Sequence, residues 1–319
     1  MARCGLPTPV AHIHPRPSSL PAKPLPPSHG PPSLPTVPRP VLPVHEALRY
    51  VVPLREGGSL PAVLDTDGGL YVVKFRGAGQ GARALVAELV VGGLARRLGL
   101  TVPELALVHL DDAFGRAEPD PEIQDILHGS RGLNVGLAYL DGAFAFDAVA
   151  VGDLVAPEEA AAVVWLDALT TNVDRTARNP NLLWAGAPPA LHLIDHGAAL
   201  YFHHDWEGLT DEKAQAPFAP VRDHVLLPLA ADIEEADARL APLLAGDAVR
   251  EVLAAVPDAL LMDAPPGRTP PFASADDNRA AYLRYFARRL APPRRWAEAA
   301  EAARRALAAA PAAPLDYRR

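Results

Sequence analysis

The chain has 319 residues, with 38 acidic side chains against 30 basic ones, a net charge of −8 and a pI near 5.8. That balance excludes a general nucleic-acid binder, whose phosphate contacts need a basic surface. No apolar run reaches the roughly 18 residues a membrane span requires. Apolar residues make up 49% of the chain but aromatics only 6%, so a sizeable core must be built mostly from Leu, Val and Ala. The single cysteine, Cys4, allows no internal disulfide, and the N-terminus has no apolar leader; both point to the cytoplasm.

Residues 1–43 hold 14 prolines and few large apolar side chains, and read as a disordered Pro-rich tail with polyproline II character. From Val44 the pattern changes. Arg49–Leu54 reads as a strand, Arg55–Ser59 as a tight turn carrying Gly57 and Gly58, and Ala62–Leu64 as a returning strand. Asp67-Gly68-Gly69 makes the next turn and leads into Leu70–Phe75, an apolar, β-branched strand that contains Lys74. The chain has three lysines against 27 arginines. Lys23 and Lys213 sit in a Pro-rich tail and a polar loop, where either cation would serve. Lys74 alone lies within a strand, where a compact ammonium suits phosphate oxygens better than a guanidinium. Taken by itself it also reads as an edge lysine whose head group snorkels to water.

Gly77–Gly81 leads into a helical pattern over Ala82–Leu98, ended by Gly99, with Leu85, Leu89, Leu94 and Leu98 on one broad apolar face. Glu88 falls within this mostly apolar helix. Such an acid either reaches solvent or has a partner, and both readings stand on the sequence. Val102–Leu110 and Leu133–Leu140 add strands. Pro157–Leu169 begins with Pro and Glu-Glu and continues apolar, a good helix start. Asp167, near its end, reads first as a plain cap or an exposed acid, with an anchor for the loop that follows as the alternative.

The chain then reaches Asn172-Val-Asp-Arg-Thr-Ala-Arg-Asn179 and, after a Gly/Pro turn, Leu191-His-Leu-Ile-Asp-His-Gly197. Phosphoryl transfer needs a carboxylate beside the attacking hydroxyl, plus an amide and a second carboxylate to hold Mg²⁺ against the phosphates. Asp174, Asn179 and Asp195 supply those groups in that order. Asn181–Trp184 and Leu191–Ile194 read as paired strands, which would return Asp195 beside Asn179. His192, His196, His203 and His204 match no closed zinc spacing and have no cysteine with them. His196 is expected beside Asp195, and His203 and His204, with Trp206, on the floor of the substrate side.

Tyr71-Val-Val-Lys-Phe75, Ala87-Glu-Leu89, Trp165–Thr176, Asn179-Pro-Asn-Leu-Leu183 and Leu193–His203 together resemble the HipA-like kinases, over roughly residues 45–290. The resemblance implies an α+β, two-lobed protein-kinase-like fold, with a small β-rich N-lobe over 44–140 and a mainly helical C-lobe over 141–291. It implies ATP in the cleft, with Lys74 on the phosphates and Glu88 as its ion-pair partner. Asp174 is then the base, and Asn179 and Asp195 are the Mg²⁺ ligands. Gly57, Gly58 and Ser59 would lie over the phosphates, and Tyr139 and Leu140 would face adenine from the hinge. Some members are toxins that phosphorylate a protein serine or threonine and are neutralised by a DNA-binding protein, so an antitoxin-like partner is among the implications. Thr176 stands where larger relatives have His. Arg175 follows the base directly and is assigned a phosphate contact.

The C-terminal third reads as helices over Val225–Ala231, Asp232–Leu244, Asp247–Val256 and Ala275–Leu290. Residues 292–319 form an Ala/Arg-rich helix and tail with little to bury. Together these expectations describe an ATP- and Mg²⁺-dependent phosphotransferase acting on a protein Ser/Thr. The alternatives are a small-molecule hydroxyl kinase and a nucleotide-binding pseudokinase or scaffold.

Overall fold

The computed structural model describes residues 42–54, 60–79, 81–116, 118–264 and 267–309. The Pro-rich segment up to residue 41, the turn with Gly57, Gly58 and Ser59, and residues 310–319 lie outside the described residues. The N-terminal part is β-rich. Strands β1 (Val44–Pro53), β2 (Ala62–Thr66) and β3 (Gly69–Lys74) precede helix α1 (Ala82–Arg97). Strand β4 (Leu105–Leu110), helix α2 (Pro121–Gly129) and strand β5 (Gly132–Ala138) follow.

These five strands close into a barrel in the order β1-β2-β3-β5-β4. β5 pairs antiparallel with both β3 and β4, which completes the sheet as the pattern predicts. Closure itself is not visible in the pattern. It comes from β1 running parallel to β4, with Val44 opposite Leu107. β1 has register shifts between Ala47 and Arg49 and between Tyr50 and Val52. Bulges of this kind bend a strand and increase its twist, as closure requires.

Alternation along β4 divides the buried side chains into two cores. Leu105 and Leu107 pack with Val135, Leu137 and the α1 side chains Leu85 and Leu89. Ala106, Val108 and Leu110 pack with Leu64, Tyr71, Val73 and, from α2, Ile123 and Leu127. Gly136 keeps this second core closed, since a Cβ there would come within 2.8 Å of a Val108 methyl group. Helix α2 has no apolar run long enough to stand out in the sequence. Asp120 caps it, Pro121 opens it, and only Ile123 and Leu127 are buried.

Helix α1 ends as predicted, with Gly99 at φ +79°, a left-handed position that favours glycine. It is buried on nearly all sides because it lies between the barrel, at β5, and the helical part of the chain.

That part contains α3 (Ala148–Val151), α4 (Pro157–Thr170), α5 (Asp211–Gln215), α6 (Ile233–Leu240), α7 (Ala248–Ala254), α8 (Asp258–Leu261), α9 (Ala275–Leu290) and α10 (Arg295–Ala309). A small sheet of β6 (Phe144–Ala145), β7 (Leu182–Ala185) and β8 (Ala190–Leu193) sits at its edge. Two expectations are corrected. Val225–Ala231 is no α-helix, because Pro228 limits it to a single 3₁₀ turn at Leu227–Leu229. The last helix also has much to bury. Trp296 is fully buried, with its ring centroid 5.2 Å from that of Trp165 on α4 in an edge-on arrangement.

Candidate active site

Lys74 is the last residue of β3, and the chain turns from there into α1. Its ammonium donates to Glu88 Oε2 at 2.8 Å and to Asp195 Oδ1 at 2.7 Å. Glu88 is fully buried on α1, so of its two sequence readings the structure shows the paired one. The same carboxylate accepts the His196 backbone N–H at 2.8 Å and lies 3.2 Å from His196 Nδ1. One buried acid therefore ties β3, α1 and the segment after β8 together. Burial alone would raise the Glu88 pKa, but Lys74 and His196 outweigh it and hold the acid well below its ordinary value. Burial alone would lower Lys74, but Glu88 and Asp195 outweigh it and hold its pKa above the ordinary lysine value.

Asp174 follows α4 by four residues. Its backbone N–H donates to Asn172 Oδ1 at 3.1 Å. Its carboxylate accepts from Asn179 Nδ2 at 2.9 Å and from Asn181 Nδ2 at 3.3 Å. Asn179 is held by a reciprocal backbone pair with Thr176, at 3.0 and 3.1 Å, which closes a four-residue loop. β7 and β8 pair antiparallel, Leu182 opposite Leu193, and Ile194 N–H continues the ladder to Asn181 O at 3.1 Å. This hairpin places Asp195 next in the chain after the partner of Asn181. Asn181 and Asp195 both sit at left-handed φ, +50° and +53°. Asn and Asp tolerate that region better than other non-glycine residues.

Lys74, Asp174, Asn179, Asn181 and Asp195 line one cleft of about 640 Å³. Leu54, Val72, Leu137, Leu140, Leu183 and Ile194 give the same cleft an apolar surface. The Tyr139 backbone N–H is spent on Leu70 O at 2.9 Å. Among the described residues the Leu140 N–H has no partner.

Asp174, Asn179 and Asp195 bring into the cleft oxygen atoms of the kind a hard cation takes. With Asn179 Nδ2 donating to Asp174, the amide Oδ1 is the atom left to take one. The carboxylates of Asp174 and Asp195 add two negative charges, of which Lys74, already shared with Glu88, offsets only part. These groups fit Mg²⁺.

Several expected positions are corrected. Arg175 does not face the cleft. Its side chain is buried, its Nε donates to Asp167 Oδ2 at 2.5 Å, and its Nη1 donates to the carbonyls of Asn181 and, at 3.2 Å, Ile194. Its Nη2 is buried and without a partner among the described residues. The guanidinium is therefore out of reach of a phosphate. Asp167 is neither a cap nor exposed. It is fully buried and also accepts from Asn172 Nδ2 at 3.0 Å.

The histidines do not converge. His203 is fully buried against Tyr282, with Nδ1 2.8 Å from the hydroxyl, in an aromatic cluster with Phe202, so it lines no floor. Burial, with His204 and Arg83 nearby, holds its pKa well below the ordinary value. His224, which stood out in no motif, lies beside the Asp174–Asn179 loop. Its Nδ1 accepts the Leu226 N–H at 3.0 Å, so Nε2 carries the proton and donates to Asp167 Oδ2 at 2.9 Å.

No curated protein matches this chain. Among solved structures it is similar to a proinflammatory kinase of Helicobacter pylori, CtkA, at 13% identity, over 84% of this chain and 100% of that one. The TM-score is 0.46, a likeness too loose to bear on the site. The model of the HipA-like kinases matches residues 57–273, a span that takes in α1, the barrel from β2 onward and every residue of the cleft except Leu54. The chain belongs to the HipA-like kinase family and is a kinase.

Proposed function

We propose that the chain is an ATP- and Mg²⁺-dependent protein serine/threonine kinase of two-lobed, protein-kinase-like architecture, with Asp174 as the catalytic base. The observation that carries this reading is the Lys74 ammonium held between Glu88 and Asp195 in a cleft that Asp174 and Asn179 also line. Its volume lies within the roughly 300–1,000 Å³ of small-molecule sites. The apolar surface suits a purine. The Ala138 carbonyl and Leu140 N–H offer an acceptor and a donor in the order that an adenine edge needs.

Lys74 neutralises charge on the nucleotide phosphates, and Glu88 keeps its ammonium in place. Asn179 and Asp195 are the residues that would hold Mg²⁺, which supplies neutralisation of charge on the transferring phosphoryl group. Asp174, oriented by two amides, accepts the proton of the acceptor hydroxyl as it attacks. Ala177, Arg178 and Asn179 are exposed, so the acceptor side of the loop is open to solvent. An open approach favours a hydroxyl on a polypeptide over an enclosed small molecule.

The reading is tested with ATP in the presence and absence of Mg²⁺, on wild type and Asp195→Ala. Ligand at about 100 times its dissociation constant adds roughly 2.7 kcal/mol to stability, which thermal melting resolves. The expected result is a Mg²⁺-dependent shift in wild type that Asp195→Ala loses. Labelled ATP with a Ser/Thr peptide library then tests the acceptor. Absence of any Mg²⁺-dependent shift in wild type overturns the assignment.

A further inference from the structure

Behind the cleft, on the side away from the nucleotide, lies a buried charge cluster that none of the proposed catalytic steps uses. Asp167 accepts three side-chain hydrogen bonds, from Asn172, Arg175 and His224. Each donor holds a different part of the loop. Asn172 also accepts the Asp174 N–H. His224 belongs to a remote segment that bridges the loop backbone at Thr176, with Val225 N–H donating to Arg175 O at 3.1 Å. Arg175 donates to the carbonyls of Asn181 and Ile194.

Those two carbonyls belong to the residues that set the site. The Asn181 side chain orients the Asp174 carboxylate, and Ile194 directly precedes Asp195. A single guanidinium nitrogen thus bonds to the residue before β7 and the residue after β8, at the open end of the hairpin. It lies where the loop carrying the base meets the strand that delivers the second carboxylate. A guanidinium presents several donors in a rigid plane, so fixing one hydrogen bond fixes the others.

We propose that Arg175, clamped by Asp167, is a positioning residue that sets the separation of Asp195 from Asn179 and Asp174, and hence the geometry offered to Mg²⁺. The proposal rests on the kinase reading of the cleft. Arg175 touches neither nucleotide nor acceptor. It acts through the Asn181 and Ile194 carbonyls, and Asp167 holds the guanidinium at the required angle. His224 and Asn172 complete the carboxylate's hydrogen bonding, so that the buried charge is fully satisfied.

The test uses the full chain with MgCl₂ and ATP as probes, and reads ADP release without added acceptor together with Mg²⁺-dependent ATP binding by calorimetry. Arg175→Lys keeps the charge beside Asp167, but one ammonium cannot reach Asp167, Asn181 and Ile194 together. Groups that orient metal ligands typically account for ~10–100-fold in metal affinity or activity. The expected result is a rise of that order in half-saturating Mg²⁺, a matching fall in turnover, and little change in ATP affinity at saturating Mg²⁺. Should Arg175→Lys yield no folded protein, the pair Asp167→Asn with Arg175→Gln carries the same test. It removes both buried charges together and leaves neither orphaned.

Unchanged half-saturating Mg²⁺ in a folded variant, with activity tracking only the amount of folded protein, makes Arg175 merely structural and overturns the proposal. Asp174→Asn, run in parallel, separates this from failure of the kinase reading. Full turnover in that variant removes Asp174 as the base and overturns both.

Discussion

Lys74 and Asp195 are 121 positions apart in the chain and 2.7 Å apart in space. Glu88 takes a second hydrogen of the same ammonium, so a strand, a helix and the end of a hairpin meet at one nitrogen. Because the lysine is shared, replacing it affects both the fold and the chemistry.

Lys74→Met leaves Glu88 fully buried without its cation. Removing one partner of a buried pair typically destabilises by about 3–5 kcal/mol. Urea unfolding of the variant is expected to show a loss of this size, and Mg²⁺-dependent ATP binding is expected to disappear. A Lys74→Met/Glu88→Leu double variant, which removes the pair together, should recover much of the stability but none of the binding. Recovery of both would show that the lysine does not contact the nucleotide.

The shifted groups set the acid side of the stability profile. His203 has its pKa lowered by burial, so below the ordinary value of 6.5 the unfolded chain takes up a proton that the folded chain refuses. Glu88 and Asp167 are also held below their ordinary values of 4.5 and 3.8, and their contributions are present above those values and lost as pH falls further. Lys74, raised, contributes fully below its ordinary value of 10.5 and loses that contribution only as pH rises through its higher folded value. Melting temperature is therefore expected to fall in two stages on acidification, first below about pH 6.5 and then below about pH 4.5. His203→Gln should weaken the first stage, to which His192, His204 and His224, also lowered by burial, contribute, and leave the second.

Asn181 carries two separable properties, an amide on Asp174 and a left-handed backbone. Asn181→Gly keeps the backbone freedom and removes the amide, whereas Asn181→Ala also adds strain of about 1–2 kcal/mol. Misplacing a reacting group by an ångström can cost ~10²-fold in rate. Turnover is expected to drop by at least tenfold in both variants, with the Ala variant alone clearly less stable. Equal stability with equal activity to wild type would show that the amide does not orient the base.

Trp296→Ala tests whether α10 belongs to the core. Truncating a large, fully buried aromatic costs about 3–5 kcal/mol, and Trp165 would lose its edge-on partner. Urea unfolding should show a single, destabilised transition. A loss below about 1 kcal/mol would mean that α10 is only loosely attached.

By itself the chain determined what is carried by local chemistry. Apolar and β-branched runs, helix-start signals and the period-3.6 pattern marked β3, β5, α1, α4 and α9, because each supplies apolar side chains to a core whatever packs against it. The order of Lys74, Glu88, Asp174, Asn179 and Asp195 was legible because it resembles the pattern of the HipA-like kinases, and the structure brings Lys74, Glu88 and Asp195 into hydrogen-bonding contact. Other features depended on contacts between distant segments. Barrel closure needed Val44 beside Leu107. The burial of Asp167 needed Arg175 from the loop and His224 from 57 residues on. A charged side chain next to a candidate base reads as functional from sequence, and only the tertiary structure turned Arg175 away from the cleft. The reason is electrostatic: a carboxylate removed from water on α4 must be paired, and the nearest fixed cation was the one the motif seemed to offer to phosphate.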